Sequence, residues 1–267
     1  MSERPTIAIF DSGVGGLTVT RAVADALPGA KIRYLGDTAR LPYGTKSANT
    51  VILYARQAAA LLLQEPADAL VVACNTASSC ALPALQKQWQ MPVIGVVQPG
   101  AKRAVATTRT GHIGVIGTER TVSSRAYEGA IGAIDSSLVV HGLATPLLVG
   151  LAEEGWFEHP VTEAAVRAYL EPWLVGERGK IDTLVLGCTH YPALAGPISR
   201  VVNELLGREV VLVDSATSIA GVLREVFGRC DGQGSVELLA TDELERFSRV
   251  GGRFFPLETA TMRVVEL

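Results

Sequence analysis

Cysteine is scarce in this chain, with four in 267 residues, at positions 74, 80, 188 and 230. That is too few for the disulfide framework of a small secreted scaffold. No CxxC pair accompanies them, and no histidine stands at zinc-finger spacing from any of them, so a metal site is not expected. Long apolar runs are absent as well. The longest clean stretch, 58–63, is bounded by Gln57 and Gln64, far short of the roughly 20 residues a membrane helix needs. Near the N-terminus the run 7–10 stops at Asp11, too early for a signal-peptide core. Charge of one sign is also missing: 24 Lys and Arg against 27 Asp and Glu leave a net −3, with no tail of like charges. Proteins that grip nucleic acid show a basic patch or stripe. The expectation is a cytoplasmic protein that binds neither membrane nor nucleic acid.

What is present is core-forming material, 48% hydrophobic against 19% charged, in a length that suits one or two domains. Short runs rich in Val, Ile and Leu recur at 7–10, 32–35, 69–73, 93–97, 112–116, 138–140, 183–186, 210–213 and 236–239. Their near-continuous apolar character suits strands buried on both faces. Between them lie segments of helical period. In 162–176, Val166, Tyr169, Leu170, Trp173 and Leu174 form one stripe, with Thr162 as the expected N-cap and Pro172 as a break or kink. Alternation of this kind predicts right-handed βαβ units on a mostly parallel sheet. A weak internal similarity adds to this. "ALVVACNTASSCALPAL" (69–85) resembles "DTLVLGCTHYPAL" (182–194), and "IAIFDSGVGGLTVTRAV" (7–23) loosely resembles "IGVIGTERTVSSRAY" (113–127). The expected fold class is therefore α/β, with two similar doubly wound, mostly parallel-sheet domains and the active site in the cleft between them. The expected division is 1–97 plus 209–267 for one domain and 98–208 for the other.

In open α/β sheets, ligands bind beyond the C-terminal ends of the strands. Four polar loops have that address: Asp11-Ser12-Gly13, Cys74-Asn75-Thr76, Thr118, and Cys188-Thr189-His190. Pro42-Tyr43-Gly44 adds a fifth turn nearby. Cys74 and Cys188 each fall where a buried strand gives way to a helix N-terminus, where free N–H groups and the helix dipole lower a thiol pKa from its ordinary value of about 8.5. Cys80, within a helix, and Cys230, in a polar loop, lack that setting. Two facing thiols, one ionised and one protonated, suit removal of a proton from one face of a carbon and its return to the other, and groups that titrate near the operating pH do this best. A cysteine hydrolase with His190 as base is a second reading of the same residues, and it leaves one thiol without a task. A dinucleotide fold is poorly matched, because Thr18 replaces the third glycine of "GVGGLT"; a P-loop is not matched, because Thr45 separates Gly44 from Lys46. The glycines of "DSGVGG" suit close backbone approach to a small anion.

The stretches "IAIFDSGVGGLTV", "YLGDTARLPYGTKS", "VVACNTASS", "GVVQPG", "IGVIGT", "LVLGCTHYPAL" and "LVDSA" together resemble the glutamate racemases of the aspartate/glutamate racemase superfamily, in the family order and over nearly the whole chain. The resemblance implies a cofactor-independent enzyme that interconverts L- and D-glutamate by two-base proton transfer, supplies D-glutamate for peptidoglycan, and forms a homodimer. By motif, Cys74 resembles the acid–base group on the D-glutamate side and Cys188 that on the L-glutamate side. Asp11 and His190 resemble auxiliary groups that tune or orient the thiols, and Glu153, in a poorly matching stretch, resembles a further assisting acid. The implied substrate contacts are Asp11, Ser12, Pro42, Tyr43, Gly44, Asn75, Thr76, Thr118, Thr121, Thr189 and His190. The sequence "GCTH" favours glutamate, since aspartate enzymes resemble "GCTE" there.

Overall fold

The computed structural model describes residues 4–267. Strands β1 (Thr6–Asp11), β2 (Lys31–Gly36), β3 (Ala69–Val72) and β4 (Val93–Gly95) come first, then β5 (His112–Gly117), β6 (Val139–Ala144), β7 (Thr183–Gly187) and β8 (Val211–Asp214). The last two are β9 (Ser235–Ala240) and β10 (Ala260–Val264). They build two sheets, ordered β10-β9-β2-β1-β3-β4 and β6-β5-β7-β8, in which every pairing is parallel. The intervening helices are α1 (Leu17–Ala26), α2 (Ala48–Leu62), α3 (Asn75–Cys80), α4 (Leu82–Gln88), α5 (Val97–Thr107), α6 (Glu119–Ser123) and α7 (Ala126–Ile134). They continue with α8 (Leu147–Glu153), α9 (Pro160–Leu170), α10 (Ala195–Leu206), α11 (Ser215–Phe227) and α12 (Leu244–Gly251).

The central strands are largely apolar on both faces because both faces are covered. Ile7 and Ile9 of β1 enter one core while Ala8 and Phe10 enter another; Leu184 and Leu186 of β7 face one side and Val185 the other. This alternation is the period-2 geometry of a strand, here with helices on both sides of each sheet. One core is shared: Ile9, Leu17 and Tyr34 from the first half belong to the same cluster as Leu184, Leu186 and Ile198 from the second. The expected pair of doubly wound α/β units is present.

The chain passes from one sheet to the other after β4 and returns after β8, through α5 and α11, which pack together. Because β8 pairs with β7 from Thr183↔Val211 to Leu186↔Asp214, the second sheet extends past the expected boundary at 208/209. The expected strand 93–97 ends at Gly95, since Val97 already opens α5. The expected helix 162–176 runs instead from Pro160 to Leu170. Its cap is His159, whose ring accepts from the Val161 N–H, while Thr162 donates its hydroxyl to the Trp156 carbonyl. The edge strand β10 had no counterpart among the sequence candidates; its side chains are largely exposed, so it carries none of the apolar pattern that marks a central strand.

Candidate active site

Each sheet reverses its winding direction beside its first strand. In the first, β1 is flanked by β2 and β3; in the second, β5 is flanked by β6 and β7. The crevice at such a switch point is where this architecture binds ligands. Ser12 follows β1 and Cys74 follows β3; Thr118 follows β5 and Cys188 follows β7. The two crevices face each other across one narrow cavity of about 60 Å³. It is lined by Ser12, Pro42, Tyr43, Gly44, Cys74, Asn75, Thr76, Thr118, Glu153, Cys188, Thr189 and His190. Two residues expected at the substrate stand behind this lining instead. Asp11 is fully buried at the end of β1, and Thr121 is buried one turn into α6; neither lines the cavity.

Cys74 is the N-cap of α3, and its sulfur accepts the Ala77 N–H at 3.5 Å. Ser12 Oγ lies 3.5 Å from the same sulfur. The expected lowering of its pKa does not occur. Burial first, then the charge of Asp11, push this thiol up to about 12, against the smaller opposing pull of the Ala77 and Ser12 hydrogen bonds. A single long N–H···S contact does not offset the loss of hydration. Asp11 itself is held beneath the loop, where Oδ2 accepts from the N–H groups of Gly13 (3.2 Å) and Gly16 (3.1 Å). Oδ1 is buried with no partner, and burial raises its carboxyl above the ordinary aspartate value.

Cys188 has different company. Its sulfur is 3.7 Å from His190 Nδ1, and His190 Nε2 is 3.2 Å from Glu153 Oε1. Burial alone would push the imidazole down, but the hydrogen bonds and charges of Cys188 and Glu153 outweigh it and raise His190 to about 10. Glu153 is held below its ordinary value, first by the hydrogen bond to His190. Arg246 of α12 reaches the other Glu153 oxygen at 3.5 Å, and Arg253 donates to the Glu153 carbonyl. Glu153, drawn from the sequence on a poor local match, thus ends α8 as the partner of the histidine.

The remaining walls are neutral donors. Thr76, Thr118 and Thr121 form a triangle of hydroxyls, with 3.0 Å between Thr76 and Thr118, 3.3 Å between Thr76 and Thr121, and 3.0 Å between Thr118 and Thr121. Thr121 therefore backs the other two. Tyr43 follows a cis Leu41–Pro42 peptide and donates its hydroxyl to Asp37 at 2.5 Å. Asp37 is completely buried and also accepts from Arg40 Nε (2.7 Å) and Thr241 Oγ1 (3.0 Å). Residue-by-residue reading missed Asp37, Tyr127, Ser215 and Arg246. Asp37 and Ser215 lie inside the quoted stretches "YLGDTARLPYGTKS" and "LVDSA", and Tyr127 ends the loosely repeated stretch 113–127; Arg246 carries no local signal. Cys230, read as part of a polar loop, is buried. Among the described residues, no group of three or more His, Cys, Asp or Glu side chains could hold a metal ion, and no helix is long and apolar enough to cross a membrane.

Twin crevices carrying one cysteine each form the candidate site, and comparison with known proteins gives the class of enzyme. The family model for Asp/Glu/Hydantoin racemase matches residues 15–222, and the chain belongs to that family. It is an amino-acid racemase, an isomerase, and it groups with proteins named glutamate racemase. The one from Geobacter metallireducens is 49% identical over 254 residues, covering 93% of this chain and 92% of that protein. The crystal structure of a glutamate racemase isoform from Bacillus anthracis superposes with a TM-score of 0.91 at 35% identity, covering 100% of this chain and 99% of that one. A glutamate racemase from Francisella tularensis in complex with D-glutamate gives 0.89 at 30% identity, covering 99% and 98%.

Proposed function

We propose that the enzyme interconverts L- and D-glutamate without a cofactor, by moving the α-proton between Cys74 and Cys188. The observation that carries this reading is that one strand-end cysteine from each sheet lines the same cavity. Glutamate as substrate is supported by the relatives' names and by the D-glutamate complex of the Francisella protein. Cys188, whose sulfur lies 3.7 Å from His190 Nδ1, is the base that takes the α-proton of the L-enantiomer. The electron pair of the broken C–H bond stays on the substrate, spread into its carboxylate. Cys74, held as a thiol, gives its proton to the opposite face and becomes the thiolate, and the D-to-L direction reverses both transfers. Hydroxyl, amide and backbone N–H groups of Ser12, Gly44, Asn75, Thr76, Thr118 and Thr189 hold the carboxylates without offering a competing base. Burial and the charge of Asp11 raise the proton affinity of Cys74, and the Glu153–His190 pair stands beside the Cys188 sulfur. The family resemblance supports a homodimer in the cytoplasm that supplies D-glutamate for peptidoglycan.

Incubating either enantiomer in heavy water tests the chemistry. Product formed in a single turnover should carry deuterium at the α-carbon, with no cofactor added, and unlabelled product would rule out exchange through two thiols. Running L-glutamate beside L-aspartate tests the substrate.

A further inference from the structure

Asn75 is the first residue of α3, next to Cys74, and lines the cavity while only 3% exposed. Its two amide atoms are treated differently by the protein. Oδ1 accepts the Tyr127 hydroxyl at 2.7 Å and the Ser215 hydroxyl at 3.3 Å. Nδ2 is buried and has no partner in the protein. A buried amide NH₂ with nothing to donate to is costly, and such groups are rare enough in native proteins that one lining a candidate site points to a functional role.

Tyr127 and Ser215 are themselves 1% exposed, and both come from the opposite half: Tyr127 from α7, Ser215 from the start of α11 directly after β8. The tyrosine ring is held by two glycines. A Cβ at Gly100 of α5 would stand 3.3 Å from Tyr127 Cε1, and one at Gly187 of β7 would stand 3.4 Å from Cε2. With both ring edges closely packed, the phenol oxygen has little freedom to leave Asn75. An amide can turn end for end, and doing so here would put Oδ1 toward the cavity and an NH₂ against two hydroxyls.

We infer that Tyr127 and Ser215 are positioning residues that fix the Asn75 amide with Nδ2 presented to a carboxylate of the amino-acid substrate. They act across the cleft, so the donor is set in place when the two halves meet. A flipped amide would turn its oxygen on the same carboxylate, acceptor against acceptor. The inference rests on the two-cysteine reading only for where the substrate lies.

Losing one of two donors to Oδ1 removes about one net hydrogen bond, so Tyr127→Phe should raise KM for both enantiomers about fivefold to tenfold. kcat should stay within about twofold, as expected for a contact made equally in ground and transition states. Ser215→Ala, with the longer bond, should give a smaller rise in KM. In an Asn75→Ala background Tyr127→Phe should have no further effect, because the group it positions is gone. An unchanged KM in Tyr127→Phe, or the same fold-change with and without Asn75, overturns the inference. A readout on the native enzyme does not depend on any variant folding: the ¹⁵N side-chain amide signals of Asn75 should shift when D-glutamate is added. Unmoved signals at saturating D-glutamate overturn the inference too. An enzyme that racemises glutamate yet fails these tests leaves the proposed function standing; one that neither binds nor racemises glutamate removes both.

Discussion

Cys74 and Cys188 hold equivalent places in the two sheets and are equally hidden, at 5% and 6% exposure, yet their neighbours differ in charge. Asp11 stands near one, and the His190–Glu153 pair stands at the other. Equal access means that a difference in alkylation rate reports thiolate content. Iodoacetamide at pH 7.5 should therefore modify Cys188 before Cys74, as read by peptide mapping; the reverse order would contradict the assignment of the resting proton. Cys74→Ala and Cys188→Ala should each lower racemisation by about a thousandfold or more, in the upper part of the range for a lost acid–base group, with the melting temperature little changed. His190 provides a pH test. Its pKa rises on folding from an ordinary 6.5 to about 10, so the stabilisation it brings is complete below about 6.5 and is lost as the pH climbs through about 10. Thermal denaturation between pH 6 and 8.5, below the range in which the raised Cys74 thiol contributes a decline of its own, should show the onset of that loss, and His190→Asn should flatten it. Both cysteines were legible in the sequence because each follows an apolar strand. The proton affinity of Cys74 was not, because it depends on Asp11, which is 63 positions away in the chain and comes near it only through β1–β3 pairing.

At the level of elements, the loop 12–16 between β1 and α1 works by close approach. Thr18 donates its hydroxyl to the Thr189 carbonyl at 2.8 Å, tying α1 to the loop after β7. A Cβ at Gly15 would collide with Thr189 Oγ1 and the His190 ring. Gly15→Ala should accordingly displace the Cys188 wall and cost activity about tenfold or more, a larger factor than its effect on melting temperature would suggest; unchanged kcat/KM would show that the wall yields. The glycine-rich loop was legible as a site of close approach, although its immediate neighbour is the opposite half of the protein and not only a ligand. The buried strands announced themselves through continuous apolar runs. β10 did not, because an exposed edge strand needs no such run. The true extent of α9 was hidden because its apolar stripe continues to Trp173 and Leu174, which pack on the core from turns beyond the helix end.

At the level of the whole molecule, the site exists only where the halves meet. Thr76 meets Thr118, Arg120 Nε donates to the Lys46 carbonyl at 2.9 Å, and Arg246 reaches Glu153. A ligand held by both halves stabilises both. D-glutamate at about 100 times its Kd should add about 2.7 kcal/mol and raise the melting temperature of a single transition by about 5 °C or more for a chain of this size; a scan that splits into two transitions with only one of them shifted would mean that binding engages one half alone. The internal similarity between 69–85 and 182–194 correctly indicated a repeated architecture. It could not locate the return crossing, because β8 has the same composition whichever sheet it joins.

The unequal surroundings of the two sulfurs have a thermodynamic consequence. Mirror-image amino acids have identical free energies in water, so no arrangement of Asp11, His190 and Glu153 can favour one hand in the final mixture. The Haldane relation requires the two values of kcat/KM, one per direction, to be the same. Whatever lopsidedness the protein possesses is therefore confined to how each direction divides that common value between saturation and turnover.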